Sequence, residues 1–190
     1  MWVLDLETTG LDRKRDAIVE VGMVAIGETA LCDPRRSCSC CRIKYGSIVR
    51  VPFFDRGGNA RDLGTRFHGI GWADASAAPT LREQAPRIKE MLDGAIWIGH
   101  NIRRFDAPFL IAAFSRIGVD LRPSRIIDTL ERDRMMRPDR GGVRTRHDLR
   151  SACEAWGLSW IGQQHRAVDD ARMTADLAIR QASVLGWGGR

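Results

Sequence analysis

Two carboxylates end an apolar stretch almost at the start of the chain. In residues 3–10, which read VLDLETTG, Asp5 and Glu7 interrupt a run that otherwise predicts a buried strand. Side chains two positions apart on a strand point to the same face, so the two carboxylates lie side by side. Adjacent negative charges repel unless a cation lies between them, and a divalent metal ion meets that need. The alternative is an exposed strand end where both acids are hydrated.

Three further residues could join these acids. Asp106, in HNIRRFD, lies at the start of a predicted helix, where Asp is also a common N-cap. In HRAVDDA, His165 lies in a loop and Asp170 lies in the first turn of the last helix, although Asp169 could face the same side. Together these groups predict a phosphoryl-transfer site with two Mg²⁺ or Mn²⁺ ions ~4 Å apart and an imidazole that takes a proton from water.

The elements that must position these residues follow from periodicity. Strands are predicted at 2–6, 17–26 and 42–51, the first two as a hairpin, with short strands at 95–98 and 125–127. Helical spacing is predicted near 81–92, 109–117, 149–156 and 168–185. This order indicates an α/β fold with a mixed sheet, antiparallel in its first strands and flanked by helices.

The first of these helices carries two opposing signals. Thr80 and Glu83 have the spacing of a capping box, which predicts a helix start. Pro86 lies inside the same pattern and removes a backbone hydrogen bond, so the helix is expected to kink or to begin later.

The three acidic motifs, DLETTG, HNIRRFD and HRAVDD, resemble those of the DEDDh 3′–5′ exonuclease family, which has a ribonuclease H-like fold. AIVEVGMV, RFHGI and IIDTL extend the likeness over nearly the whole chain. IWIGHNIRRFD and QQHRAVDDARM are similar to the plant exonuclease branch and to its DNA polymerase III epsilon-like relatives. The resemblance implies a metal-dependent hydrolase that releases nucleoside monophosphates from the 3′ ends of single-stranded DNA or RNA.

The resemblance also implies a role for individual residues. The metal ligands would be the four carboxylates Asp5, Glu7, Asp106 and Asp170, and His165 would be the general base. The parts of the chain that receive the terminal nucleotide would be Thr8, Thr9, Leu11, Asn101, Phe105 and His165. His100 is interpreted as structural, and Glu20 as a paired or edge-facing acid. The alternative function is a nucleic-acid-binding or regulatory module without turnover.

The charge of the chain agrees with a nucleic-acid partner. The net charge is +6, and of the 30 basic residues only Lys14, Lys44 and Lys89 are lysine. Arginine binds phosphate in a bidentate way, although a genome that favours arginine codons explains the bias equally well. Residues 132–150 contain seven arginines and three aspartates, and we expect a basic loop at about 132–148.

Length and composition predict one exonuclease domain at 1–186 with a short tail at 187–190. A loop at about 29–42 holds Cys32, Cys38, Cys40 and Cys41, which are expected to be reduced, with a zinc knuckle as the alternative. No stretch approaches the ~20 apolar residues of a membrane span, so we expect an intracellular, soluble protein of the cytoplasm or nucleus. Dimers among members of the resembled family leave a homodimer open.

Overall fold

The computed structural model describes residues 1–27, 44–48, 65–139 and 144–186, and of 44–48 the backbone alone. The predicted cysteine-rich loop at 29–42 and the predicted tail at 187–190 lie outside the described residues. Cys153, the fifth cysteine, is buried.

Five strands of the described residues form one sheet. These are β1 (Trp2–Thr8), β2 (Ile18–Ala25), β3 (Lys44–Ile48), β4 (Ile96–Gly99) and β5 (Arg125–Asp128), in the spatial order β3-β2-β1-β4-β5. The first three strands pair antiparallel, whereas β1, β4 and β5 run parallel. The predicted mixed sheet with antiparallel first strands is therefore confirmed.

Helices cover both faces of this sheet. In chain order they are α1 (Thr65–His68), α2 (Trp72–Ala77), α3 (Leu81–Leu92), α4 (Asp106–Arg116), α5 (Thr129–Met136), α6 (Leu149–Ala155) and α7 (Ala167–Leu185). One core joins Leu4 and Leu6 of β1 to apolar residues of α3 and α4. A second core joins Val3 to the alanines of α7. Alternate residues of β1 thus face different helices, as the period of a strand requires.

Two local predictions need correction. The helix α3 begins at Leu81 despite Pro86, so a later start is wrong. The capping box is present, because Thr80 Oγ1 accepts from Glu83 N at 3.3 Å while Glu83 accepts from Thr80 N at 2.6 Å. These bonds fix the first turn of α3.

The predicted basic loop also begins later than expected. Residues 132–136 belong to α5, and the side chains of Arg132 and Asp133 are buried there. The described part of the connection to α6 therefore comprises 137–139 and 144–148, and 140–143 lie outside the described residues. No helix among the described residues is long and apolar enough to cross a membrane.

Candidate active site

The carboxyl end of β1 places Asp5 and Glu7 on the face that α7 covers. Val3, two residues earlier, packs in the core that includes the α7 alanines, and the strand period carries Asp5 and Glu7 to the same side. Both side chains are half-buried. The strand therefore holds the two acids in fixed positions at the carboxyl end of the central strand of the sheet.

A glycine in β2 lets α7 approach the carboxyl end of β1 closely. Gly22 of β2 lies opposite Asp5 in the antiparallel ladder. A Cβ at Gly22 would lie 2.1 Å from the carbonyl carbon and oxygen of Ala167, the first residue of α7. Only a residue without a side chain fits under this backbone contact. The contact brings the first turn of α7 over Asp5.

An ion pair fixes the same end of α7. Glu20, 2% exposed, lies opposite Glu7 in the ladder. Its carboxylate accepts from Arg166 Nη2 at 2.9 Å, from Arg166 Nε at 3.3 Å and from Ala167 N at 2.9 Å. The interpretation of Glu20 as a paired acid is confirmed. Its partner, Arg166, was not predicted.

The start of α7 carries Asp170 and the loop before it carries His165. Ligand atoms of Glu7, His165 and Asp170 lie within 4.8 Å of one another. His165 N donates to Asp170 Oδ2 at 3.3 Å, and the exposed His165 has a φ of 63°. Asp169 points elsewhere, since it accepts from Gln163 N at 2.9 Å. Of the two candidate acids, Asp170 is therefore the one that lies beside Glu7.

Asp106 reaches β1 from the opposite face of the sheet. It is the first residue of α4, is 3% exposed, and accepts from Leu6 N at 3.1 Å. Phe105, rather than Asp106, occupies the N-cap position of this helix. The N-cap interpretation of Asp106 is therefore wrong, and its carboxylate is directed at the backbone between Asp5 and Glu7.

Burial raises the pKa of all four carboxyl groups, and their mutual repulsion raises it further at Asp5 and Glu7. Burial, then the charge of Asp170, raises the pKa of Glu7 to about 8, although Arg166 partly opposes this. Burial also raises the pKa of Asp106 and of Asp170 to about 7. For Asp5 the pKa is raised first by burial, then by the charge of Asp106. A cation among these groups would favour their ionised forms.

The donor atoms fit divalent metal ions. Carboxylate oxygens with one imidazole are hard or borderline ligands, as Mg²⁺ and Mn²⁺ prefer. Asp170 Oδ1 is buried without a hydrogen-bond partner among the described residues, which leaves this acceptor for a cation. The residues present therefore fit a metal centre.

The turn after β1 carries three of the predicted substrate-binding residues. Thr8 Oγ1 donates to Gly10 O at 2.7 Å. Thr9 Oγ1 accepts from Ala17 N at 3.0 Å and lies 3.2 Å from Asp16 Oδ1, to which it donates. These bonds fix the turn on which Leu11 stands 85% exposed. An exposed large apolar side chain next to the acids is available for contact with a nucleoside.

The turn after β4 carries the other two candidates. Asn101 has a φ of 64°, and its N donates to Asp128 Oδ1 at 3.0 Å. Phe105 is half-buried, and its ring lies 5.6 Å from that of Phe109. Asp128 also accepts from Arg103 N and Leu130 N, so it holds this turn against α5. Asp128 is the N-cap of α5, a helix that the sequence analysis did not predict, so its role was missed with that helix.

A second group that the sequence did not predict lies beside this turn. The carboxylate of Asp133, fully buried, accepts from Arg137, His147 and Trp156 at 2.6–2.9 Å. His100 joins the group through Nε2, 2.7 Å from the carbonyl oxygen of His147. The structural interpretation of His100 agrees with these contacts.

The fold and these motifs have known counterparts. Protein NEN4 of Arabidopsis thaliana is 37% identical over 123 residues, which are 64% of this chain and 46% of that protein. E. coli exonuclease I in complex with a dT13 oligonucleotide has a TM-score of 0.73 at 19% identity, over 97% of this chain and 41% of that one. The nuclease domain of 3′hExo, a DEDDh family member bound to rAMP, has a TM-score of 0.68 at 16% identity, over 94% of this chain and 89% of that one.

These structural likenesses confirm the ribonuclease H-like sheet expected from the motifs. The chain spans less than half the length of the curated relatives it matches. The family model RNase_T, described as an exonuclease, matches residues 2–178. Because this match covers nearly the whole chain, the protein belongs to the RNase_T exonuclease family, whose activity is the hydrolysis of nucleic acid.

Proposed function

We propose that this chain is a DEDDh-type 3′–5′ exonuclease that uses Mg²⁺ or Mn²⁺ to release nucleoside monophosphates from single-stranded DNA or RNA. The observation that carries the proposal is the convergence of Asp5, Glu7, Asp106 and Asp170 at one end of β1, with His165 beside them. Residues 1–186 would form this single exonuclease domain.

The four carboxylates would hold two cations. When bound, such ions supply an activated water and stabilise the departing oxygen of a phosphodiester. Asp5 lies among the charges of the other three acids, so it would help to hold the cations that offset those charges. Glu7, half-buried at the end of the strand, lies next to the turn that would receive the 3′ nucleotide, and its carboxylate would face the free 3′ hydroxyl.

His165 would accept the proton of the attacking water. Its ring is exposed, with a nitrogen within 4.8 Å of carboxylate oxygens of Glu7 and Asp170. The bond from His165 N to Asp170 ties the backbone of the base to a metal ligand. Water would attack phosphorus as the imidazole takes its proton, the bond to the 3′ oxygen of the preceding nucleotide would break, and that oxygen would take a proton from solvent to become the new 3′ hydroxyl.

The terminal nucleotide would lie between two turns. The backbone of Thr8 and Thr9 and the side chain of Leu11 would contact it from the turn after β1. Asn101 and Phe105 would shape the opposite wall. An exposed leucine can contact a deoxyribonucleoside or a ribonucleoside, so the assay compares DNA with RNA.

The proposal is tested by incubating the protein with 3′-labelled single-stranded DNA and RNA of matched sequence. Reactions contain Mg²⁺, Mn²⁺ or chelator, and the variants are Asp5→Ala and Asp120→Asn. The side chain of Asp120 is 70% exposed before β5, so it serves as the matched acidic control. We expect metal-dependent release of labelled mononucleotide by the wild type and the control but not by Asp5→Ala. Binding without release in every reaction would instead identify a non-catalytic binding module.

A further inference from the structure

A pocket of about 800 Å³ opens beside the carboxyl ends of β4 and β5. This upstream pocket lies between the turn after β4, the helix α5 and the segment 144–149. Its polar lining includes His100, Asn101, Arg134, Arg144, Thr145 and His147. Its volume lies within the range of ~300–1,000 Å³ that is typical of small-molecule sites.

The register of the sheet places this pocket next to the acidic cluster. Val3 of β1 lies opposite Ile98 of the parallel strand β4. If this register continued by two residues, it would bring His100, the first residue after β4, level with Asp5, and neighbouring strands are about 4.8 Å apart. The turn that begins with His100 and Asn101 leads directly into Asp106. A nucleic-acid strand that left the acidic cluster on the side of β4 would therefore meet the upstream pocket.

The walls of the pocket are fixed to the fold. The carbonyl oxygen of His147 lies 2.7 Å from His100 Nε2, and His147 Nδ1 lies 2.7 Å from the buried Asp133 carboxylate. Asp133 also accepts from Trp156 Nε1 at 2.9 Å, which ties the segment to the end of α6. The pocket is thus formed before any ligand binds.

The acidic and basic side chains that line the pocket differ in whether they already have partners within the chain. Its two acids are already engaged: Asp139 accepts from Thr145 N at 2.7 Å, and Asp148 lies 3.1 Å from Arg146 Nε. Within 65–139 and 144–186, by contrast, neither Arg134 nor Arg144 forms an ion pair. Both guanidinium groups are therefore available to an anion from outside the chain.

We propose that the upstream pocket binds phosphodiester groups on the 5′ side of the scissile bond, with Arg134 and Arg144 as the phosphate ligands. The inference rests on the proposed function for the direction of the strand. In this proposal, Arg134 and Arg144 are the surface arginines that hold longer substrates on the enzyme. A dinucleotide has a single phosphodiester, the scissile one, so it does not use this pocket.

The binding test needs no turnover. Fluorescence anisotropy of a labelled oligothymidylate is measured in chelator for the wild type, Arg134→Gln, Arg144→Gln and Arg122→Gln. Arg122 is a charge-matched control, since it is exposed near the amino ends of β4 and β5, at the opposite edge of the sheet. Each pocket variant should raise Kd by about 2–5-fold and reduce the salt slope by ~0.7. Equal effects in Arg122→Gln, or none in the pocket variants, would overturn the proposal.

A kinetic test separates this proposal from the proposed function. In the pocket variants, the ratio of kcat/KM for a longer oligothymidylate to that for the dinucleotide should fall about 2–5-fold. The control should keep the wild-type ratio, and an unchanged ratio in the pocket variants would contradict the assignment. If no variant and no wild-type protein hydrolyses either substrate, the proposed function fails, while the anisotropy result still decides whether the arginines bind phosphate.

Discussion

Replacing Asp106 by Asn should stabilise the cation-free protein above neutral pH, although it removes a proposed metal ligand. Burial raises the pKa of this carboxyl group from its ordinary value of 3.8 to about 7. The folded state therefore binds the proton more tightly than the unfolded state does. An asparagine keeps an oxygen that can accept from Leu6 N, so the substitution removes the charge with little change in packing.

The sign and size follow from proton linkage. A raised pKa stabilises the fold fully below the unfolded value near pH 4, and this contribution is lost as the pH rises to about 7. A change of one unit in pKa corresponds to about 1.4 kcal/mol. The rise of the Asp106 pKa from 3.8 to about 7 therefore limits the gain in the free energy of unfolding to at most ~4 kcal/mol. Because neighbouring acids share their protons, we expect the variant to be more stable by roughly 1–3 kcal/mol at pH 8.

The assay is urea unfolding in chelator at pH 5 and pH 8. Asp93→Asn provides a control of opposite sign, because the exposed Asp93 is paired with Lys89, which lowers the pKa of Asp93. Added Mg²⁺ should stabilise the wild type at pH 8 by mass action but should stabilise Asp106→Asn much less. A variant that is less stable than the wild type at pH 8 in chelator would refute the reasoning.

Three further substitutions test how the start of α7 is used. His165→Ala should lower kcat by about 10²–10⁴-fold while the affinity for Mn²⁺, measured calorimetrically, stays near wild type; a collapse of that affinity would make His165 a ligand. Arg166→Met should cost about 1–3 kcal/mol in urea unfolding, because it leaves the buried Glu20 without its cation, and adding Glu20→Gln should recover part of this loss; no recovery would mean that the pair is not coupled. Gly22→Ala should destabilise the fold by at least ~1–3 kcal/mol and lower activity, since its Cβ would overlap Ala167; wild-type activity and stability together would contradict this contact.

The sequence predicted those parts of the structure that local spacing determines. The strand β1 and the helix α7 have strong periodicity, so their acids could be assigned to the same edge before the fold was known. The resemblance favoured Asp170 over Asp169 by its distance from His165, whereas the residues alone left either possible, because both lie on the first turn of α7. The close approach at Gly22 decides which of them is beside Glu7.

Other features depended on contacts between distant residues. Arg166 was not predicted to pair with Glu20, since 146 positions separate them. The helix α5 was missed because half of its eight residues are charged and it lacks an apolar stripe, whereas its N-cap, Asp128, is fixed by contacts with the turn after β4. Asp133 was counted with an exposed basic loop, although three donors from two elements and a loop enclose it.

The contact between β2 and α7 also has a consequence for biosynthesis. On the ribosome, Asp5 and Glu7 emerge first, whereas His165 and Asp170 emerge near the end of the described chain, and the bond from Ala167 to Glu20 joins residues 147 positions apart. A nascent chain that ends before His165 has neither the proposed base nor the fourth carboxylate, Asp170. On the proposed function, it cannot cleave the messenger RNA from which it is being translated. On the proposed function, the separation in sequence between β1 and α7 thus keeps the site incomplete until Asp170 has been translated.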